Sequence, residues 1–174
     1  MKFAVAILIL FVVGFIFLRH IDDVPKNFPQ FVTEDLSGNV FTNKIFNGKL
    51  TAILLWTTNS EPCLKMLGSL DEFLKDLPPN CQVIGLIGDK NFDAAQVKNF
   101  SSIVQLKVND DFAPLLTKIK IVPTVIFIDR HGNLIEPPQF VPNAKFIREE
   151  LIRLSEKDST KVRTLNFLHS KFFD

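Results

Sequence analysis

Of the two cysteines in this 174-residue chain, Cys63 stands where a thiol could do chemistry. It closes the motif Ser60-Glu61-Pro62-Cys63, which follows the apolar run Ile53-Leu54-Leu55-Trp56 and precedes Leu64, Leu67, Leu70, Phe73 and Leu74. Those leucines and Phe73 recur at three- and four-residue steps, so residues 53–74 read as strand, polar turn and helix. Ser60 suits the N-cap, and Pro62 suits a first turn where its missing N–H costs nothing. A helix start presents unpaired backbone N–H groups and a positive dipole end, which together favour a thiolate over a thiol. Such a thiolate attacks disulfides or is oxidised by peroxide to a sulfenic acid. The opposing reading of Cys63 is a half-buried, chemically quiet thiol.

Cys81 is expected at the start of the next strand, after the helix has run back. At ~1.5 Å per residue, roughly 20 Å would separate it from Cys63, beyond disulfide reach. It reads as a small core hydrophobe. His20, His131 and His169 show no ligand spacing, so no metal is expected, and no cofactor either. Net charge is +1 with both signs interspersed, which leaves no basic footprint for nucleic acid.

These residues need a scaffold, and 174 residues suffice for one core. Residues 3–18 are all apolar or glycine, with Lys2 before them and Arg19 and His20 after. A run of about 16 residues is slightly short of the roughly 20 that span a bilayer, but no A-x-A-like cleavage site follows it. Residues 1–20 are therefore expected to be an uncleaved signal anchor. Lys2 favours a cytoplasmic N-terminus and an extracytoplasmic domain. The expected organisation is an anchor over 1–20, a linker over 21–26 containing Pro25, a domain over 27–156 and a tail over 157–174.

Within the domain, Ser37-Gly38-Asn39 supplies turn chemistry between two short strands over 31–42, and Asn47-Gly48 a second turn. Residues 49–56 and 82–88 read as strands buried on both faces, and with the helix between them they form a right-handed β-α-β unit. The loop carrying Cys63 then lies at the C-terminal ends of the strands, where such sheets bind ligands. Helices are expected over 92–100, 110–119 and 143–154, and short strands over 103–108 and 121–129. A turn at Arg130-His131-Gly132-Asn133 leads into Leu134-Ile135. The tail is basic, then apolar at Leu165, Phe167, Leu168, Phe172 and Phe173. It packs on the domain or returns to the membrane.

Trp56 followed by Ser60-Glu61-Pro62-Cys63 resembles the WxxxCxPC site of thioredoxin-like proteins of the membrane-anchored TlpA/ResA type. Residues 27–31, Asn-Phe-Pro-Gln-Phe, resemble the opening of the same redoxin domain. Val122-Pro123-Thr124 through Asp129 and Gly132 resembles that family's VPT-x-x-x-ID-x-x-G hairpin. The resemblance covers roughly residues 27–154 and implies an α/β thioredoxin-like fold, a central mixed sheet flanked by helices behind an N-terminal hairpin. It also implies a cis Val122-Pro123 bond facing Cys63, and a groove formed by Trp56, Glu61, Pro62, Val122, Pro123 and Thr124. Extended segments of extracytoplasmic proteins would lie in that groove.

The departures fall on chemistry. Ser60 replaces the attacking cysteine, leaving the resolving position Cys63, and Met66 stands where some relatives carry a glutamate. A serine hydroxyl neither ionises near neutral pH nor bonds stably to sulfur, so the two-cysteine cycle is lost. What remains is a protein-binding or monothiol redox factor. Two alternatives stay open. Ser60-x-x-Cys63 also resembles the T/S-x-x-C spacing of one-cysteine peroxiredoxins, and the fold also suits a non-catalytic envelope scaffold or chaperone. Glu61 reads equally as an exposed first-turn carboxylate, and Trp56 as core.

Overall fold

The computed structural model describes residues 27–173 apart from 90, 93–96, 98–99, 101 and 142, and the side chains of Asp71 and of residues beyond 158 are not described. The expected anchor over 1–20, the linker over 21–26 and most of the helix expected over 92–100 lie outside the described residues.

Two chain segments form an antiparallel hairpin, β1 (Val32–Glu34) and β2 (Val40–Thr42). A 3-10 turn (Asn43–Phe46) leads to β3 (Leu50–Trp56), whose seven residues are all buried. Then come α1 (Glu61–Leu74), β4 (Cys81–Ile87), β5 (Val104–Lys107), the short α2 (Ala113–Leu116), β6 (Thr124–Ile128), β7 (Gln139–Phe140) and the long α3 (Ala144–Phe173). The sheet order is β5-β4-β3-β6-β7, with β3 parallel to β4 and antiparallel to β6. This is the expected mixed sheet, and the β3-α1-β4 unit forms as its apolar runs predict.

Side chains alternate along a strand, and β3 shows the result. Leu50, Ala52, Leu54 and Trp56 enter one core with Leu67 and Leu70 of α1 and Ile147 and Leu151 of α3. Ile53 and Leu55 enter the other. That second core is aromatic: Phe28, Phe31, Phe46 and Phe112 pack with ring centroids 5.0–6.1 Å apart. Phe28 and Phe31, both nearly fully buried, thus tie the start of the domain to the face that lacks long helices.

The turn at residues 130–133 leads into Leu134 and Ile135 as expected: Leu134 bridges Ile128 and Ile135 N–H donates to Phe127 O at 2.9 Å, and further along β6 the paired strand is Gln139–Phe140. Pro137 and Pro138 intervene and can donate no ladder hydrogen bond. One expectation is corrected: the closing helix, expected over 143–154, is longer. α3 runs from Ala144 to Phe173 and contains neither glycine nor proline, so nothing stops it at the end of the core-facing stretch.

One turn is built twice. Asp35 accepts hydrogen bonds from the N–H groups of Ser37 and Asn39 and from the Asn39 amide; Asp129 does the same with His131, Asn133 and the Asn133 amide. Gly38 and Gly132 take the required left-handed conformation, at φ 85° and 87°. Burial pushes the Asp129 carboxyl up, but the donors from Asn133 and His131 outweigh it and hold it below the ordinary 3.8. A lowered folded value stabilises above the ordinary value and is lost as pH falls through the folded one. Asp129→Asn is therefore expected to cost about 1 kcal/mol or less at neutral pH, given the carboxyl's partial exposure. The difference from wild type should shrink as pH falls through the carboxyl's lowered folded value, measured by thermal unfolding across the acid range. An equal difference at every pH would refute the charge-based account.

Candidate functional site

The loop from Thr57 to Ser60 joins β3 to α1 at the C-terminal end of the parallel pair, and two local contacts shape it. Thr58, nearly buried, donates from both its N–H and its hydroxyl to Asp89 Oδ2, at 2.5 and 3.0 Å. Asp89 lies just past the end of β4, so the two neighbouring strand ends are tied together across the sheet. Ser60 is the helix cap, its Oγ accepting from Cys63 N–H at 3.4 Å, and Leu64 N–H donates to Ser60 O at 3.1 Å. The N-cap expectation holds, and the hydroxyl acts on the backbone of Cys63.

Cys63 itself is fully buried, at 0% exposure, and belongs to the core with Trp56, Met66 and Leu67. This corrects the half-buried reading. Residues three and four apart share a helix face, so Cys63 stands in register with Met66 and Leu67, which face the sheet, whereas Glu61 and Pro62 face solvent. Cys63 and Cys81 are both free, as the spacing predicts. Cys81, only half-buried, rims the core; burial pushes its thiol up, against smaller opposing effects of Ser155 and Arg130.

The residues expected to form one groove separate into three groups. Glu61, Pro62 and Pro123 meet in an open cavity of about 320 Å³ together with Met66, Phe140 and Val141. The Val122-Pro123 bond is cis, as the resemblance implies. Val122 lines a second hollow on the other side of that loop, with Leu55, Gly88, Leu116, Ile119 and Ile121. Trp56 and Thr124 line neither. Trp56 is fully buried, its Nε1 donating to Gln105 Oε1 at 3.0 Å and its ring edge-on to Phe100. The Thr124 hydroxyl is turned to Ile121 O, 2.7 Å away. The groove assignment of Thr124 is thus corrected, and of the two readings of Trp56 the core one holds: both side chains are buried.

Sequence reasoning passed over Phe140, 53% exposed beside the groove, and Ile121, 57% exposed next to the cis bond. A lone exposed aromatic before Val141 was the available signal. Glu61 pairs with Lys65 at 2.7 Å, but both side chains are more than three-quarters exposed, so the pair contributes little. Among the described residues no cluster of His, Cys, Asp or Glu could hold a metal ion.

Asp89 holds the loop that leads to the helix of Cys63. Asp89→Ala removes both Thr58 bonds at a cost of about 1–3 kcal/mol. Alkylation of Cys63 in the folded chain, followed by intact mass, is expected to accelerate. An unchanged rate would mean that core packing alone guards the sulfur.

No protein-family model matches the chain. Among characterised proteins, it is 30% identical over 120 residues to the thiol-disulfide oxidoreductase ResA of Bacillus thuringiensis subsp. konkukian, covering 66% of this chain and 68% of that protein. Among solved structures, the thioredoxin domain of a thiol-disulfide oxidoreductase from Bacteroides vulgatus superposes with a TM-score of 0.57 at 19% identity, covering 71% of this chain and 94% of that one. StoA from Bacillus subtilis gives 0.58 at 16%, covering 72% and 98%. At those identities the two structures speak to the fold alone, whereas the match to ResA extends to sequence across the same domain. The chain belongs to the thioredoxin-like redoxin family, among the thiol-disulfide oxidoreductases of ResA type.

Proposed function

We propose that this chain is a membrane-anchored, extracytoplasmic member of that family that no longer exchanges disulfides and instead binds extended segments of other extracytoplasmic proteins. The observation that carries the reading is the contrast between the thiol and the groove. Cys63 is wholly buried behind a serine cap, while the cavity bounded by Glu61, Pro62, Pro123 and Phe140 is open. A resolving cysteine needs no exposure until an attacking thiol has formed a mixed disulfide, and Ser60 cannot form one. Apolar Pro62, Met66, Phe140 and Val141 give the groove a surface for side chains of a bound segment. Anchoring through residues 3–18 is supported by their composition and by Lys2 before them.

The test is chemical. The full chain with Cys81→Ser, in detergent, is exposed to hydrogen peroxide and to a model disulfide, with Cys63→Ala as control and intact mass as readout. Reaction at Cys63 no faster than that of free cysteine is expected. Rapid sulfenate formation dependent on Cys63 would replace the binding reading with a one-cysteine peroxidase, and a rapid mixed disulfide would replace it with a monothiol oxidoreductase.

A further inference from the structure

The poles of the domain are defined by the course of α3. Its first turn starts at the groove, where Asn143 lines the cavity and accepts from Phe146 N–H at 3.0 Å. It then passes Cys81 at the start of β4, whose Sγ is 3.9 Å from Leu151 O, and Asn80, which donates to Ser155 Oγ at 3.3 Å. At Asp158 it reaches Arg130, whose Nε is 3.0 Å from Asp158 Oδ2 in an ion pair too oblique for a hydrogen bond. The helix thus runs from the groove pole to the opposite pole.

The N-terminal segment joins the domain at that same opposite pole. Asn27 bridges Asn133, and Phe28 N–H donates to Gly132 O at 3.2 Å, so the turn over residues 129–133 holds both the first described residue and the middle of α3. Beyond Asp158 the helix continues to Phe173, which adds about 22 Å at ~1.5 Å per residue. Residues 159–173 carry Lys161, Arg163 and Lys171 and no acidic residue. Val162, Leu165, Leu168 and Phe172 recur at steps of three, three and four, the spacing of one helical face. Among the described residues no helix is long and apolar enough to cross a bilayer, so a helix of this kind meets lipid only at the interface.

We propose that the end of α3, residues 159–173, is a second membrane contact, an amphipathic helix that lies among anionic lipid headgroups beside the entry of the N-terminal segment. The placement rests on the anchoring reading above. With both ends of the domain held at the 129–133 pole, the groove at the other pole is directed away from the bilayer, towards partners in the aqueous compartment.

The full chain is reconstituted in vesicles of phosphatidylcholine and phosphatidylglycerol with brominated acyl chains, which quench indoles at membrane depth. The native Trp56 is fully buried in the core and contributes a constant background. Phe11→Trp reports on the N-terminal segment and Leu168→Trp, on the apolar stripe, reports on the end of α3. Both introduced indoles are expected to be quenched. Adding Lys161→Glu, Arg163→Glu and Lys171→Glu should weaken the helix contact by about a hundredfold and abolish quenching of the Leu168→Trp indole alone. Quenching at position 11 without quenching at 168 overturns the inference and leaves the anchor intact, the helix end then lying on its own domain or a second copy. Quenching at 168 without 11 upholds the inference and removes the anchor. Quenching at neither position removes both.

Discussion

Ser60→Cys is expected to give the chain dithiol–disulfide exchange. The substitution places a second sulfur at the helix cap, one turn before Cys63, where the Ser60 hydroxyl lies 3.4 Å from Cys63 N–H. That position is half-exposed and precedes the free N–H groups of the first turn, so the new thiol meets the conditions that favour ionisation. Cys63, although buried, needs to move only far enough to attack the mixed disulfide formed next to it. Loss of the serine cap should cost about 1 kcal/mol, which a folded domain of this size tolerates. Reduction of a model disulfide should rise at least about tenfold over wild type, equivalent to 1.4 kcal/mol of activation free energy. If the variant oxidises internally yet exchanges no faster, the groove has lost substrate delivery as well as the nucleophile.

Gly85→Ala should be the most destabilising single-methyl change in the sheet. A Cβ built at Gly85 would lie 2.0 Å from Gln105 Oε1 and 2.7 Å from its Cδ, far inside contact distance. Gln105 is itself nearly buried, holding Trp56 Nε1 through its oxygen and the Phe100 carbonyl through its Nε2 at 3.3 Å. Displacing it leaves a buried indole N–H without a partner and strains β4 against β5. The sum is about 2–4 kcal/mol, or roughly 4–16 °C in Tm. The diagnostic is a double-mutant cycle: Gln105→Ala removes the obstacle, so the double variant should be less destabilised than the sum of the singles. Strict additivity would show that Gly85 is needed for another reason.

The sequence revealed the scaffold where local signals were strong. Apolar runs bounded by turn residues marked β3 and β4, and Ser60 with Pro62 marked the start of α1, because capping chemistry is local. The proline at 123 was visible, and its cis geometry came from the resemblance. What stayed hidden depends on distant partners. That Trp56 belongs to the core was readable from its strand, but its indole partner Gln105, 49 residues away, was not. That Val122 and Pro123 border different hollows follows from the loop's path across the strand ends. The burial of Cys63 was within reach, because Met66 and Leu67 share its helix face, but the chemical identity of the motif drew attention to solvent. The length of α3 was also within reach, since no residue after 144 breaks a helix.

The sheet has two edges, and neither presents a long free ladder. Along β5, the hairpin lies across the outer rim: Asp35 bridges Leu106, Thr33 donates to Lys107 O at 2.6 Å, and Asn109 donates to Val32 O at 2.8 Å. On the other side, β7 is two residues long and follows two prolines. An uncovered flank of paired strands is a template for edge-to-edge stacking into fibrils. A domain crowded with its neighbours on a two-dimensional surface would meet that hazard at high local concentration. This one offers its neighbours almost no ladder to extend.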